Sequence, residues 1–434
     1  MSLITSRPRA TLPFNRFLRI LGPGIVTGAA DDDPSGIATY IQTGAQFGYG
    51  QLWTAIFMLP LQTAVQEACA RIGAVTGKGV AAVVKERYSR GVLYAVVALL
   101  VVANTINLGA DIGAMAGAAS LVVPIPAALF AVGFAAFVLV LEVFTSYRAY
   151  ARVLKLLALS LAAYPLTVAI LHLPWRTVLR ATFVPHIEPS VGFFFIITGV
   201  LGTTITPYMF FWQASQEIEE EGAQLVTPGE ASSAFRQFLR TLRIDTVLGM
   251  IASEVATWCI IVVGAAVLHT SGVTTVTTAA DGARALEPLV HTFPHAGYLA
   301  KMIFASGIIG LGLLGVPVLS GSAAYALCEV LNWSEGLNLK LKQAHGFYGV
   351  IAVATLIGLA LNFVGIDPIR ALVVAAVING VVAVPLLFVI ARIAASREIM
   401  GNYVSGRWSS LLVWATCIGM GAAAIAMFAT LWRP

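Results

Sequence analysis

The chain has 434 residues, 58% of them hydrophobic and only 11% charged, with a mean hydropathy of +0.86 and a net charge of +5. A soluble domain carries about a quarter charged residues, so the two or three soluble domains that length alone suggests give way to one polytopic membrane domain over 1–434. Lys and Arg are scattered between apolar segments, which argues against a nucleic-acid partner and makes the charge a marker of orientation in the bilayer.

A span needs about 20 mostly apolar residues, and eleven follow in order. Residues 1–17 form a basic N-terminus, and the apolar run after it is soon interrupted by carboxylates, which a secretory leader would not be. Span one, 18–47, is interrupted near 31–36 by Asp31-Asp32-Asp33-Pro34-Ser35-Gly36. Acids at membrane depth are expensive and survive mainly where they face a cavity or an ion. Pro removes a backbone donor and Gly loosens the chain, so the helix is expected to open there. Spans two to five follow at 51–74, 92–118, 125–145 and 152–172. They carry Gln66 and Glu67, then Asn104, Asn107 and Asp111, then Glu142. Each of these acids, like Glu254 later, either serves a proton or ion path or pairs with a polar neighbour.

Span six, 190–214, is interrupted near 203–207 by Thr203-Thr204-Ile205-Thr206-Pro207. The run Gln216-Glu217-Ile218-Glu219-Glu220-Glu221 behind it reads as a solvated cytoplasmic connector. Spans seven to eleven lie at 246–268, 298–331, 347–365, 369–394 and 409–431, with Asn379 in the tenth as a candidate amide. Cys69, Cys259, Cys328 and Cys417 stand singly in apolar stretches, so neither zinc ligation nor a disulfide framework is indicated.

Loop charge sets the orientation. With a cytoplasmic N-terminus, 20 of the 26 Lys and Arg lie inside, among them Arg7, Arg9, Arg16, Arg19, Arg71, Lys78, Lys85, Arg148, Arg236 and Lys340. The two breaks lie five spans apart. They divide the chain into halves 18–172 and 190–394 of opposite topology, with 409–431 as an appendage. Interrupted helices at matching positions of two halves point to a transporter's binding site.

Unwinding a helix frees carbonyls that lipid cannot satisfy, so such backbone lines a polar cavity or is buried in protein. Hard cations take oxygen ligands. Asp33 supplies a carboxylate, while Thr203 and Thr206 supply hydroxyls and carbonyls from the facing break. Asp32 is a further candidate, although it and Asp31 equally suit a vestibule or a solvated position. Tyr208 and Met209 read as packing residues. No cofactor motif occurs.

These residues resemble the Nramp family of divalent metal transporters. Where the family has Asp-Pro-Gly-Asn on its first helix, this chain has Asp33-Pro34-Ser35-Gly36. Gly22-Pro23-Gly24, Gly44, Gly48, Leu52-Trp53 and the segment from Ala70-Arg71 to Gly77-Lys78 are also similar to it. The family's sixth-helix Met-Pro-His is matched by Thr206-Pro207-Tyr208. The resemblance is good over about the first 75 residues and moderate over 195–215. It implies an all-α LeuT-type 5+5 inverted repeat with about 11 transmembrane helices, of which helices 1 and 6 are broken. It also implies alternating access, and a place in the bacterial inner membrane with a transported divalent ion and lipid as partners. The family's metal ligands, carried over by position, are Asp33, Gly36, Thr206 and the backbone carbonyls of Ala30 and Thr203.

The departures bear on the substrate. The family's Asn amide is lost at Gly36, and its Met thioether becomes the Thr206 hydroxyl. Thioethers favour softer transition metals, and oxygen favours Mg²⁺, Ca²⁺ or Mn²⁺. Two missing protein ligands leave room for retained water, as Mg²⁺ prefers. Tyr208 and Gln213 stand where the family has sixth-helix histidines, and Asn107 and Ala110 replace its third-helix Asp-x-x-Glu. These changes are similar to those of Nramp-related magnesium transporters, and the Thr also to the plant aluminium-transporting branch. The expectation is a carrier of hard divalent ions, Mg²⁺ and/or Mn²⁺, with weak or altered proton coupling, no enzymatic activity and no obligatory protein partner.

Four other readings stand beside it. One is a proton-coupled Mn²⁺ or Fe²⁺ symporter whose relay uses Asp111 or Glu67. Another is an organic-solute symporter, which would hold a carboxylate at helix N-termini, where three aspartates repel it. A third is an intramembrane aspartyl protease pairing Asp33 with Asp111 on facing spans. The last is a metal sensor that binds without transporting.

Overall fold

The computed structural model describes residues 23–145, 161–221 and 233–431. The N-terminal arginines, Gly22 and residues 152–160 of the expected fifth span lie outside that set. Thirteen principal helices are described. These are α1 (Pro23–Asp31), α2 (Pro34–Phe47), α3 (Trp53–Thr76), α4 (Arg90–Val122), α5 (Ala127–Phe144), α6 (Ala163–Ile170) and α7 (Val191–Thr204). They continue as α8 (Pro207–Glu221), α9 (Ser233–Val263), α10 (Ala296–Leu331), α11 (His345–Leu361), α12 (Pro368–Ala395) and α13 (Arg407–Leu431). The pairs α1/α2 and α7/α8 each make one interrupted span, so the thirteen described helices correspond to the eleven expected spans, α6 being the described part of the fifth.

Seven continuous or nearly continuous helical stretches among the described residues are long and apolar enough to cross a membrane. Outward faces carry large apolar side chains in the open: Leu129, Val140 and Phe144 on α5, Ile418 and Ile425 on α13, and Val353 and Leu356 on the shorter apolar α11. Patches of that extent are foreign to soluble monomers and suit contact with lipid. Pro60, Pro317 and Pro385 sit inside helices, which membrane helices tolerate when neighbours satisfy the freed backbone.

Small residues bring the interrupted helices close to their neighbours. A Cβ on Gly28 of α1 would overlap the Gly249 carbonyl of α9, and one on Gly202 of α7 would overlap the backbone of Gly380 on α12. Without side chains between them, backbones meet directly, the usual basis of helix association in lipid. Helices α1 and α2 thus lie along α9, α7 lies along α12, and α4 lies along α10 beside both breaks. Helix α13 packs on α12, α7 and α3 at the edge.

One expectation is corrected. The run 216–221, read as a solvated connector, forms the last turns of α8, and Gln216, Glu217 and Glu219 within it are held by protein partners. Gln216 donates to the Tyr325 hydroxyl at 3.2 Å. Glu219 accepts from that same hydroxyl, from Leu337 N at 2.8 Å and from Asn338 Nδ2 at 2.9 Å. Donors on α10 and the loop behind it hold these residues, so their charge density is used for docking. Glu67 also proves paired: it bridges Arg71 and Arg243 at 3.1 Å each, tying α3 to α9. Glu142 accepts from Ser320 Oγ at 2.8 Å.

Candidate metal-ion site at the two helix breaks

The first break follows from three adjacent residues. Asp33 has extended backbone, φ −60° and ψ 172°, and caps α2 by accepting from Gly36 N at 2.9 Å, with Pro34 in the first helical turn. An acidic N-cap followed by Pro starts a helix, so this sequence starts α2 and ends α1 together. Pro34 has no N–H to offer the carbonyl four residues back, that of Ala30, and Pro207 likewise leaves the carbonyl of Thr203 free. The second break, at Ile205 and Thr206, thereby repeats the logic of the first. Asp33, Thr203 and Thr206 are 1%, 2% and 0% exposed, so the protein closes around both breaks.

The breaks face each other and are cross-linked. Tyr208 Oη donates to the Ala30 carbonyl at 2.9 Å and lies 3.2 Å from Asp33 Oδ2. Ser35 Oγ gives its proton to Asp33 Oδ1 at 2.6 Å. Its 3.3 Å contact with Thr203 Oγ1 therefore has Thr203 as donor. Thr204 gives its proton to Val200 O, so Tyr40 donates across the 2.9 Å contact with Thr204 Oγ1. From α4, Asn107 Nδ2 donates to Asp33 Oδ2 at 3.1 Å.

The structure distributes the expected site residues unevenly. Asp33, the Ala30 carbonyl and Thr203 come together. Thr206 is buried with its hydroxyl unpartnered. Gly36 serves as a backbone donor to Asp33, and a Cβ on it would stand 3.2 Å from Tyr40 and 3.3 Å from both Asp31 O and Thr203 Oγ1. Asp32 turns away toward α9, where Thr257 Oγ1 lies 3.5 Å from its Oδ1. Asp31 takes the hydroxyl of Ser253 at 2.5 Å and the amide of Gln62. Both acids are buried, so neither is solvated. Among the described residues, no group of three or more His, Cys, Asp and Glu side chains could hold a metal ion. An ion here would draw on mixed oxygens instead.

Tyr208 is the main correction. Read as packing, it is the hydroxyl that satisfies the carbonyl freed by Pro34. The signal was present in its place one residue after Pro207. Ser253 and Thr257, which hold Asp31 and Asp32, form with Glu254 an i, i+1, i+4 polar face in an apolar span, the one sequence signal that marks them. Removing the Tyr208 hydroxyl leaves a buried carbonyl without a partner, at a cost of about 1–3 kcal/mol. Tyr208→Phe is therefore expected to lower the thermal unfolding midpoint in detergent; an unchanged midpoint would mean the ring merely fills space.

Comparison with known proteins bears on this geometry. The family model described as Nramp, natural resistance-associated macrophage protein-like, matches residues 24–430. The chain belongs to the Nramp family. This Nramp chain is 26% identical over 428 residues to a protein named divalent metal cation transporter MntH 1 from Pseudomonas aeruginosa, covering 94% of this chain and 90% of that one. The MntH protein of Deinococcus radiodurans is 24% identical, with 95% and 89% covered. The solved Eremococcus coleocola manganese transporter superposes with a TM-score of 0.76 at 18% identity, over 98% of this chain and 90% of that chain. Mhp1, a nucleobase-cation-symport-1 family transporter, superposes at 0.56 with 13% identity, over 94% and 92%. The Nramp chain is therefore an integral membrane protein with the LeuT-type inverted-repeat fold, its first and sixth helices broken. Its relatives are transporters rather than proteases, even though Asp33 and Asp111 do come from facing spans.

Proposed function

We propose that this Nramp protein carries hard divalent cations, Mg²⁺ and/or Mn²⁺, across the bacterial inner membrane by alternating access, with weak or altered proton coupling. Divalent metal cation transport is the activity named for its relatives. The observation that carries the finer reading is the oxygen chemistry at the breaks: the Asp33 carboxylate, the Ala30 carbonyl, the Thr203 hydroxyl and the unpartnered Thr206 hydroxyl, with the Thr203 carbonyl that Pro207 cannot bond. Oxygen donors suit Mg²⁺ and Mn²⁺, and the bare Gly36 removes an amide ligand. The family's sixth-helix histidines are absent: Tyr208 is held by Ala30 and Asp33, and Gln213 donates to Glu217 at 2.7 Å. Neither side chain exchanges protons near neutral pH, which supports weak coupling. We place the N-terminus in the cytoplasm on the distribution of Lys and Arg, read 18–172 and 190–394 as the two halves that rock against each other, and take 409–431 as an appendage.

A second reading, a proton-coupled Mn²⁺ or Fe²⁺ symporter, has one observation in its favour. A Cβ on Gly312 would lie 2.5 Å from Met115 Sδ and 3.3 Å from Pro34 Cγ, so a thioether stands beside the first break. Flux into proteoliposomes separates the two. Saturable Mg²⁺ or Mn²⁺ uptake with little accompanying acidification is expected; strong Cd²⁺ uptake with proton influx and no Mg²⁺ uptake overturns the first reading. Metal binding with no flux of any ion would indicate a sensor.

A further inference from the structure

The hydrogen bonds of Asp33 raise a question of capacity. Its Oδ1 accepts from the Ser35 hydroxyl and Gly36 N, and its Oδ2 accepts from the Asn107 amide, with the Tyr208 hydroxyl 3.2 Å away and its proton on the Ala30 carbonyl. Both oxygens are occupied by protein donors. Asp111, one turn beyond Asn107 on the same face of α4, is fully buried and has neither carboxylate oxygen engaged. The Asn107 amide oxygen is buried and unengaged as well.

Gly315 of α10 fixes the relation between the two acids. A Cβ built on it would stand 3.2 Å from Asp33 Cβ and 3.6 Å from Asp111 Oδ2. The Asp111 oxygen is thus no farther from Asp33 Cβ than the sum of those distances. A Cβ there would be tight against Asp33 and in ordinary contact with Asp111, so the glycine leaves the space between them open. Neither aspartate forms an ion pair among the described residues, and a buried carboxylate without a counter-charge is strongly unfavourable. Mg²⁺ binds carboxylate oxygens at about 2.0–2.1 Å and keeps several waters, so it can bridge such a gap directly or through one of them.

We infer that Asp111 is the second carboxylate ligand of the transported ion, acting with the Asn107 amide oxygen in place of the ligands lost at Gly36 and Thr206. The inference rests on Asp33 being the first carboxylate. Together the two aspartates present a charge of −2 to a divalent ion, and every donor among them is oxygen. The third span thus takes over selectivity that the breaks alone no longer provide.

Titration calorimetry of Mg²⁺ and Mn²⁺ into the purified full-length protein at one fixed pH tests this. Asp111→Asn is expected to weaken both ions at least about tenfold, since even outer-shell partners are worth that much. Its unfolding midpoint without metal should equal or exceed that of the wild type, because an uncompensated buried charge has been removed. Wild-type affinity in Asp111→Asn, with a displaced pH dependence of flux, would assign the residue to proton transfer and overturn the inference. Should Asp111→Asn fail to fold, Gly315→Ala decides instead. Its methyl crowds the space between the acids and should weaken Mg²⁺ binding, whereas unchanged affinity counts against the proposal. Asp33→Asn distinguishes the two levels. If it binds like the wild type, the reading of the breaks fails; if it alone loses binding, only the role of Asp111 fails.

Discussion

Asp33→Ala is expected to abolish divalent-ion flux, by at least about 100-fold, equivalent to roughly 2.7 kcal/mol at about 1.36 kcal/mol per decade. The substitution removes a carboxylate and an N-cap together. Loss of the cap costs about 1 kcal/mol. The Ser35 hydroxyl, Gly36 N and Asn107 amide all lose their acceptor, while the Tyr208 hydroxyl keeps the Ala30 carbonyl. Each stranded buried donor costs about 1–3 kcal/mol, offset in part because a buried charge is removed as well. Lost flux in Asp33→Ala therefore mixes chemistry with a damaged helix start. Asp33→Asn separates them, since Asn is an equally good N-cap and its oxygen still accepts from Ser35 and Gly36. It should keep a cooperative unfolding transition near the wild-type midpoint and still lose transport. A folded Asp33→Asn with wild-type flux would remove Asp33 from the ion path.

Thr206→Met is expected to shift selectivity, raising Cd²⁺ flux relative to Mg²⁺ flux about tenfold, which is roughly 1.4 kcal/mol. A thioether offers a soft ligand that Cd²⁺ prefers, and it removes a hydroxyl that Mg²⁺ prefers. The Thr206 oxygen has no hydrogen-bond partner to lose, so the change costs no existing bond. It does add volume at a fully buried position, with a packing cost of about 1–3 kcal/mol that lowers overall flux. The ratio of Cd²⁺ to Mg²⁺ uptake, measured in the same vesicles, is insensitive to that loss. An unchanged ratio would show that residue 206 does not face the ion.

Much of this protein could be read along the chain because the bilayer imposes simple rules. Eleven apolar segments require eleven spans. The extended Asp33 N-cap before Pro34, and Thr206 before Pro207, mark where a helix opens, since proline withholds the N–H that the carbonyl four residues earlier needs. Proline alone does not suffice, because Pro60, Pro317 and Pro385 sit inside continuous helices. Those are local facts, and local chemistry suffices for them. What Asp31, Asp32, Tyr208 and Asp111 do is decided by residues on other helices, 31 or more positions away. Tyr208 could be packing until the Ala30 carbonyl is seen at its hydroxyl. Asp32 belongs with Asp33 by adjacency, yet across the helix break the chain turns and sends it toward Thr257. Glu219 looks solvated until the donors of α10 and its following loop meet it.

By itself, then, the sequence determined the membrane class, the number of spans and the place of the two breaks, because each depends on composition or on a residue's immediate neighbours. Only the tertiary structure decided which acids share a site. Hydrogen-bond capacity is used up by partners from other helices, and that accounting leaves Asp33 engaged on both oxygens and Asp111 on neither.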